Sequence, residues 1–253
     1  MKPWTLAWVY LLTQSLTVPV VQAACATYAQ GPAYPVARVF DGDTLRLKDR
    51  RKVRLIGLNT PELGRDGKQD APYAARAKAH LERLIHNDGG RIYLRLGADR
   101  QDRYQRLLAH AYAGDGENLT EQLLAAGMGY QIAVPPNLAN LTCYAEAEAR
   151  AREDRLGLWQ HPPRPTTPLS GPSEGSQPVS GRVQRVGHSR NNVWLNLEGG
   201  LALRIERDDL RWFEGLDLDR LQGQEIETRG WIYRRKGQQR MRIRHPSALR
   251  VGR

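Results

Sequence analysis

Residues 36–58 read VARVFDGDTLRLKDRRKVRLIGL, and this stretch decides the fold. Apolar and polar side chains alternate with the period of a half-buried strand in three runs, Val36–Phe40, Thr44–Lys48 and Lys52–Leu58. Asp41-Gly42-Asp43 and Asp49-Arg50-Arg51 supply the turns between them, and Asp-Gly is a strong hairpin signal. The alternation sets Val53 and Leu55 on one face and turns Arg54 to the other.

Outward from this meander, Ala71–His86 has apolar residues at helical spacing and stops at Asn87-Asp88-Gly89-Gly90. Arg91–Leu96 and Leu107–Tyr112 read as strands, and Asn118–Ala126 and Tyr144–Arg155 as helices. A chain that is mainly β with helices to one side (α+β) predicts a five-stranded Greek-key barrel of the OB type. From 162 to 178 the sequence PPRPTTPLSGPSEGSQP holds six of the fifteen prolines and no apolar period, which reads as a linker. The expected organisation is therefore a domain over 24–159, a linker over 160–178 and a second domain over 179–253.

The second domain reads as strands at Gly181–Gly187, Val193–Leu197, Leu201–Glu206, Glu225–Tyr233 and Arg240–Arg244, with a short helix at Leu210–Phe213. Its pattern predicts another small OB-like barrel. Arg240, Arg242 and Arg244 alternate with Met241 and Ile243, placing three guanidiniums on one face as a candidate phosphate track. A solvated face with acidic neighbours offsetting it is the alternative. Trp194, Trp212 and Trp231 are expected in the core rather than as base-stacking platforms.

The chain has 253 residues, 40% hydrophobic and 26% charged, which excludes a disordered, fibrous or polytopic membrane protein. Its 38 Lys and Arg against 27 Asp and Glu give a net charge of +11, which favours anionic partners. The surplus is uneven: +3 over 24–159 and +7 over 179–253. Lys2, an apolar run from Trp4 to Val21 and the small residues of Val21-Gln22-Ala23 describe a signal peptide over residues 1–23. Periplasmic or secreted localisation is expected, with no lasting membrane association after cleavage. In an oxidising compartment the two cysteines, Cys25 and Cys143, are expected to form a disulfide.

Asp41 and Asp43, with Asn59-Thr60-Pro61-Glu62 after the third strand, come to one end of an antiparallel sheet. Two carboxylates, an amide oxygen and backbone carbonyls form a hard, all-oxygen environment suited to Ca²⁺ or Mg²⁺. The six histidines are scattered and show no zinc spacing. Arg54 and Arg106 add planar forks that can grip phosphate oxygens. Phosphoryl transfer needs such a cation, an oriented water and fixed positive donors.

Val39-Phe40-Asp41-Gly42-Asp43-Thr44, Val53–Glu62 and Asp102-Arg103-Tyr104-Gln105-Arg106 resemble, in order and spacing, three signatures of the thermonuclease (staphylococcal-nuclease-like) family. The resemblance runs from about Val36 to Trp159. It implies an OB-type barrel and Ca²⁺-dependent hydrolysis of DNA and RNA, as an endonuclease and a monomer. It assigns Asp43 as the principal ligand of one ion, with Asn59 and the Thr60 carbonyl beside it and Asp41 behind. Glu62 positions water, Arg54 and Arg106 stabilise the phosphate, and Arg103 and Tyr104 touch a neighbouring phosphate. Asn59 stands where the best-known member has Asp, which predicts weaker Ca²⁺ binding or use of Mg²⁺ or Mn²⁺. Gln105 occupies a usual Gly, which predicts a differently shaped turn. The alternative reading is a non-catalytic protein that keeps the fold and binds nucleic acid or envelope polymers.

Overall fold

The computed structural model describes residues 25–64, 67, 69–166 and 175–252. The segment read as a signal peptide, residues 1–23, lies outside them. The first unit comprises β1 (Tyr34–Val39), β2 (Thr44–Leu47), β3 (Lys52–Leu55), β4 (Leu58–Asn59), α1 (Ala74–Asn87), β5 (Arg91–Gln101), β6 (Leu107–Tyr112), α2 (Leu119–Ala125), β7 (Tyr130–Gln131) and α3 (Leu141–Glu153). Strands β1, β2, β3, β6 and β5 close into a barrel. Every pair is antiparallel except β3 with β6, where Arg54 stands opposite Leu108. A parallel pair needs a long crossover, and here α1 and β5 supply it.

Alternation does the packing. Leu45, Leu47, Val53 and Leu55 point inward and are no more than 1% exposed. Helix α1 lays Ala74, Ala77, Leu81 and Ile85 along one stripe against that core. Helix α2 begins where the Asn118 side chain accepts a hydrogen bond from the Glu121 amide, satisfying an otherwise orphan donor. Cys25 and Cys143 are bridged, with Cα atoms 5.2 Å apart, tying the chain before β1 to α3. Closing a loop across a separation of 118 residues removes unfolded-state entropy, worth about 5 kcal/mol in the chain-entropy model.

The second unit comprises β8 (Arg164–Pro165), β9 (Gly175–His188), β10 (Asn192–Leu197), β11 (Ala202–Glu206), β12 (Glu225–Arg235), β13 (Gln238–Arg242) and β14 (Leu249–Val251). The expected linker is shorter than its composition suggested. Gly175–Pro178 already belong to β9, and Arg164–Pro165 pair with β9 in parallel. Paired backbone outweighs the prolines there, because Pro178 occupies one position of a long ladder. Strands β9, β10, β11, β13 and β12 close on themselves through the β12–β9 pairing, again with one parallel pair, β11 with β13. The wiring repeats that of the first barrel. Val193, Leu195, Leu203, Ile205, Ile226, Ile232 and Met241 fill the interior. The expected helix at Leu210–Phe213 is a 3₁₀ segment, Arg207–Phe213.

The barrels touch through polar groups. Arg229 on β12 is largely but not fully buried and pairs with Glu148 of α3, while its other terminal nitrogen donates to the Gln131 side chain at 2.8 Å. Arg152 bridges Glu148 and Glu227 at 3.0 and 2.7 Å. Arg244 donates to the Pro135 carbonyl at 3.2 Å. Burying these charges is tolerated only because each meets an opposite partner.

Candidate active site

The turn between β1 and β2 packs tightly under α1. A Cβ at Gly42 would lie 2.7 Å from both the Ala77 Cβ and a Thr60 methyl, so the Asp-Gly-Asp sequence needs glycine here for close approach. That contact buries Asp41 and Asp43, which are 8% and 5% exposed. The Asp43 carboxylate accepts from the Thr60 amide at 2.9 Å, the Thr60 hydroxyl at 3.1 Å and the Thr44 hydroxyl at 2.9 Å. The Asp43 amide donates to Asp41 Oδ1 at 3.1 Å.

Arg54 leaves the outer face of β3 and turns back over the strand end. Its Nη1 donates to the carbonyls of Leu55 and Leu58 at 3.0 and 2.8 Å. Its Nη2 donates to Asn59 Oδ1 at 2.8 Å and lies 3.1 Å from Asp43 Oδ2. The guanidinium is thus fixed by the barrel before any ligand arrives. One cation faces two buried acids. Burial, with the Asp43 carboxylate second, pushes the Asp41 carboxyl up to about 7.

Arg106 is held differently. Asp102 accepts from the Tyr104 and Arg106 amides at 2.9 and 3.0 Å and from Arg106 Nε at 2.7 Å. Partial burial of Asp102 opposes its ionisation, but these Arg106 and Tyr104 hydrogen bonds outweigh it and keep the carboxyl below its ordinary range. Gln105 takes φ 61°, the left-handed region that glycine occupies freely. The residue departs from the family pattern, yet the chain still makes the left-handed turn, at about 1 kcal/mol of steric cost. Arg103 and Arg106 both lie over the Tyr104 ring, with guanidinium carbons 4.8 and 5.5 Å from its centre.

Asp41, Asp43, Arg54, Asn59, Glu62 and Arg106 all line one cleft of about 1300 Å³. Arg103 and Tyr104 line it too. Thr60 sits beneath, bonded to Asp43 and 1% exposed. Glu62 is solvent-exposed at the rim. The Arg track of the second barrel does not form a free cationic stripe. Arg242 meets Glu206 at 2.6 Å and Asp209 at 2.7 Å, Arg244 lies 3.6 Å from Asp209, and Arg240 covers the Trp194 ring. Strand alternation revealed the shared face; it could not reveal that Glu206 and Asp209, from another strand and a 3₁₀ turn, come beside it. Of the three, only Arg244 reaches the cleft.

Trp231 corrects a second expectation. It is 55% exposed rather than core, because Ile226, Thr228 and Ile232 take the inward positions of β12. Sequence also gave no role to Asp102, which anchors the arginine loop, or to Ser176. The Ser176 hydroxyl meets the Asn59 amide and accepts from the Tyr130 hydroxyl at 2.7 Å. Only the docking of the second barrel brings it there.

The oxygen set fits a hard divalent cation. Among the described residues no three His, Cys, Asp or Glu side chains cluster, so the donors would be the two carboxylates with amide and carbonyl oxygens. Two buried carboxylates face one guanidinium, Arg54, and a bound cation would offset the second acid. Asn59 Oδ1 is engaged by Arg54 and is the weaker candidate ligand.

A closed five-stranded barrel with paired acids, two braced arginines and a glutamate on one cleft defines an enzyme of the nuclease class. Residues 52–161 match the family model described as Staphylococcal nuclease homologue. The thermonuclease of Staphylococcus intermedius is 31% identical over 138 residues, covering 53% of this chain and 80% of that protein. The endonuclease YncB of Bacillus subtilis (strain 168) is 32% identical over 127 residues, covering 48% of this chain and 59% of it. Endonuclease YhcR of the same organism is 26% identical over 183 residues, 68% of this chain but 15% of that protein. The chain belongs to the staphylococcal nuclease family.

Proposed function

We propose that this chain is an exported, divalent-cation-dependent nuclease, using Ca²⁺ or, because Asn59 replaces an acid, Mg²⁺ or Mn²⁺, that hydrolyses phosphodiester bonds of DNA, RNA or both. The observation that carries this reading is the convergence of Asp41, Asp43, Arg54, Glu62 and Arg106 on one cleft. Asp43 and Asp41, with the Thr60 carbonyl and Asn59, would hold the ion. Bound there, it supplies Lewis-acid polarisation of a phosphoryl oxygen.

Glu62 orients the attacking water and accepts its proton as the bond to phosphorus forms, while the P–O ester bond opposite breaks and its sugar oxygen leaves as an alcohol, taking a proton from solvent. Arg54, already anchored to two carbonyls, offers its guanidinium to the charge growing on the phosphoryl oxygens. Arg106, braced by Asp102, does so from the loop between β5 and β6. Neither has to reorganise at the moment of reaction. Arg103 and Tyr104 meet the adjoining phosphate. The Cys25–Cys143 bridge supports periplasmic or secreted localisation, since such links persist in oxidising compartments.

Plasmid cleavage with Ca²⁺, then with chelator, tests the reading together with Glu62→Gln. Cleavage should need the cation and fall at least about 100-fold in the variant, with oligonucleotide affinity retained. Unchanged turnover by Glu62→Gln would remove its assigned role, and chelator-insensitive cleavage would remove the ion.

A further inference from the structure

Two aromatic side chains are exposed among the described residues, Tyr104 at 63% and Trp231 at 55%, and both line the same cleft. They come from different barrels. Tyr104 belongs to the arginine loop of the first; Trp231 lies on β12 of the second, directly opposite Ser176 on β9. Ser176 in turn contacts Asn59 and Tyr130, so the strand pair carrying Trp231 is fastened beside the acid–arginine site. Arg229, two residues before Trp231, is locked to Glu148 and Gln131 of the first barrel. The indole is therefore presented from a fixed ladder rather than a loop.

Packing does not account for this placement. The inward side chain of the neighbouring position, Ile232, is fully buried, whereas the indole faces a cleft lined by Arg38, Lys52, Arg54, Lys78, Arg103 and Arg106. An apolar ring among cations matches a partner that is both anionic and able to offer a flat π-face. A nucleic-acid strand has both properties, since its phosphates meet the cations and its bases stack on aromatic rings. In a duplex, an interior base already has both faces covered by its neighbours. An unpaired base leaves a face open.

We propose that the second barrel is a wall of the catalytic cleft, and that Trp231 stacks on an unpaired base flanking the scissile phosphate, a base-binding subsite that the first barrel alone does not hold. This rests on the nuclease reading of the same cleft and adds a residue of the second barrel that binds substrate. Trp231 is a specificity residue and takes no part in bond cleavage.

The test uses the full chain carrying Glu62→Gln to suppress turnover, in Ca²⁺, with two labelled probes. One is a 12-nucleotide oligothymidylate; the other is a hairpin duplex of equal phosphate count. Trp231→Ala should weaken binding of the single strand roughly tenfold and that of the duplex less than about twofold. Trp231→Phe should restore most of the loss. Oligothymidylate should also quench tryptophan emission in the parent chain and not in Trp231→Phe. Unchanged single-strand affinity in Trp231→Ala, or equal losses on both probes, would overturn the stacking role while leaving the nuclease reading intact. Failure of the parent chain to bind either probe would overturn that reading as well.

Discussion

The two barrels share one wiring and carry opposite chemistry. In each, the third strand places an arginine between two buried aliphatic residues, Val53-Arg54-Leu55 in the first and Leu203-Arg204-Ile205 in the second. In each, that arginine faces the parallel partner strand, opposite Leu108 or Arg242. The difference lies in the neighbours. Arg54 serves two buried acids, Asp41 and Asp43, and leaves a surplus carboxylate that attracts a cation. Arg204, Arg242 and Arg244 share Glu206 and Asp209, a surplus of guanidinium. The β9–β10 connection reads Ser189-Arg190-Asn191 and has no counterpart of Asp41 or Asp43. A fold supplies positions; the sign of the residual charge decides whether a position can hold a metal.

The sharpest test exchanges the two arginines' fates. Arg54→Gln should lower turnover about 10²–10³-fold, as loss of a fixed donor to developing charge does. Arg204→Gln should change it less than about twofold. Initial-rate measurements on both variants would break the comparison if the losses were alike. Next comes the joint between the barrels. Arg229→Ala leaves the buried Glu148 with one of its two cationic partners and should cost about 3 kcal/mol. Denaturant unfolding should then resolve two transitions where the parent shows one, each barrel melting by itself.

Acid should act on the first barrel before the second. His110 is buried in β6, and burial, with Arg95 second, depresses its pKa to about 4. The unfolded imidazole binds its proton near 6.5, so the stability it contributes is complete above that pH. It is lost as pH falls from there through about 4, amounting to roughly 3 kcal/mol. His110→Gln, which cannot acquire charge, should flatten this part of the stability–pH curve. The smallest effect is expected at Gln105. Replacing it with glycine relieves the φ 61° strain and should raise stability by about 0.5–1 kcal/mol, read as a shift in unfolding midpoint.

Much of the first barrel was legible because its signals are local. The strand Leu107–Tyr112 has the bounds its alternation predicts, and Asn118, which the pattern sets at the start of its helix, is the cap. Proline content predicts a linker that runs into β8 and β9, because it speaks to local stiffness and says nothing of a distant pairing partner. Alternation shows that Arg240, Arg242 and Arg244 share one face but leaves open whether that face is a phosphate track or is offset by acids, since the acids that pair with it arrive from elsewhere in the chain.

By itself the sequence determined which side chains alternate inward, where the turns fall, and that acids and arginines of the nuclease pattern are present in order. Those properties depend on residue type and on spacing over a few positions. The tertiary structure alone decided that Trp231 faces the cleft and that Ser176 reaches Asn59. It also decided that Asp209 pairs with Arg242 and Arg244. Each of these is a contact made across barrel closure or barrel docking, and no periodicity within a strand encodes what will lie against it.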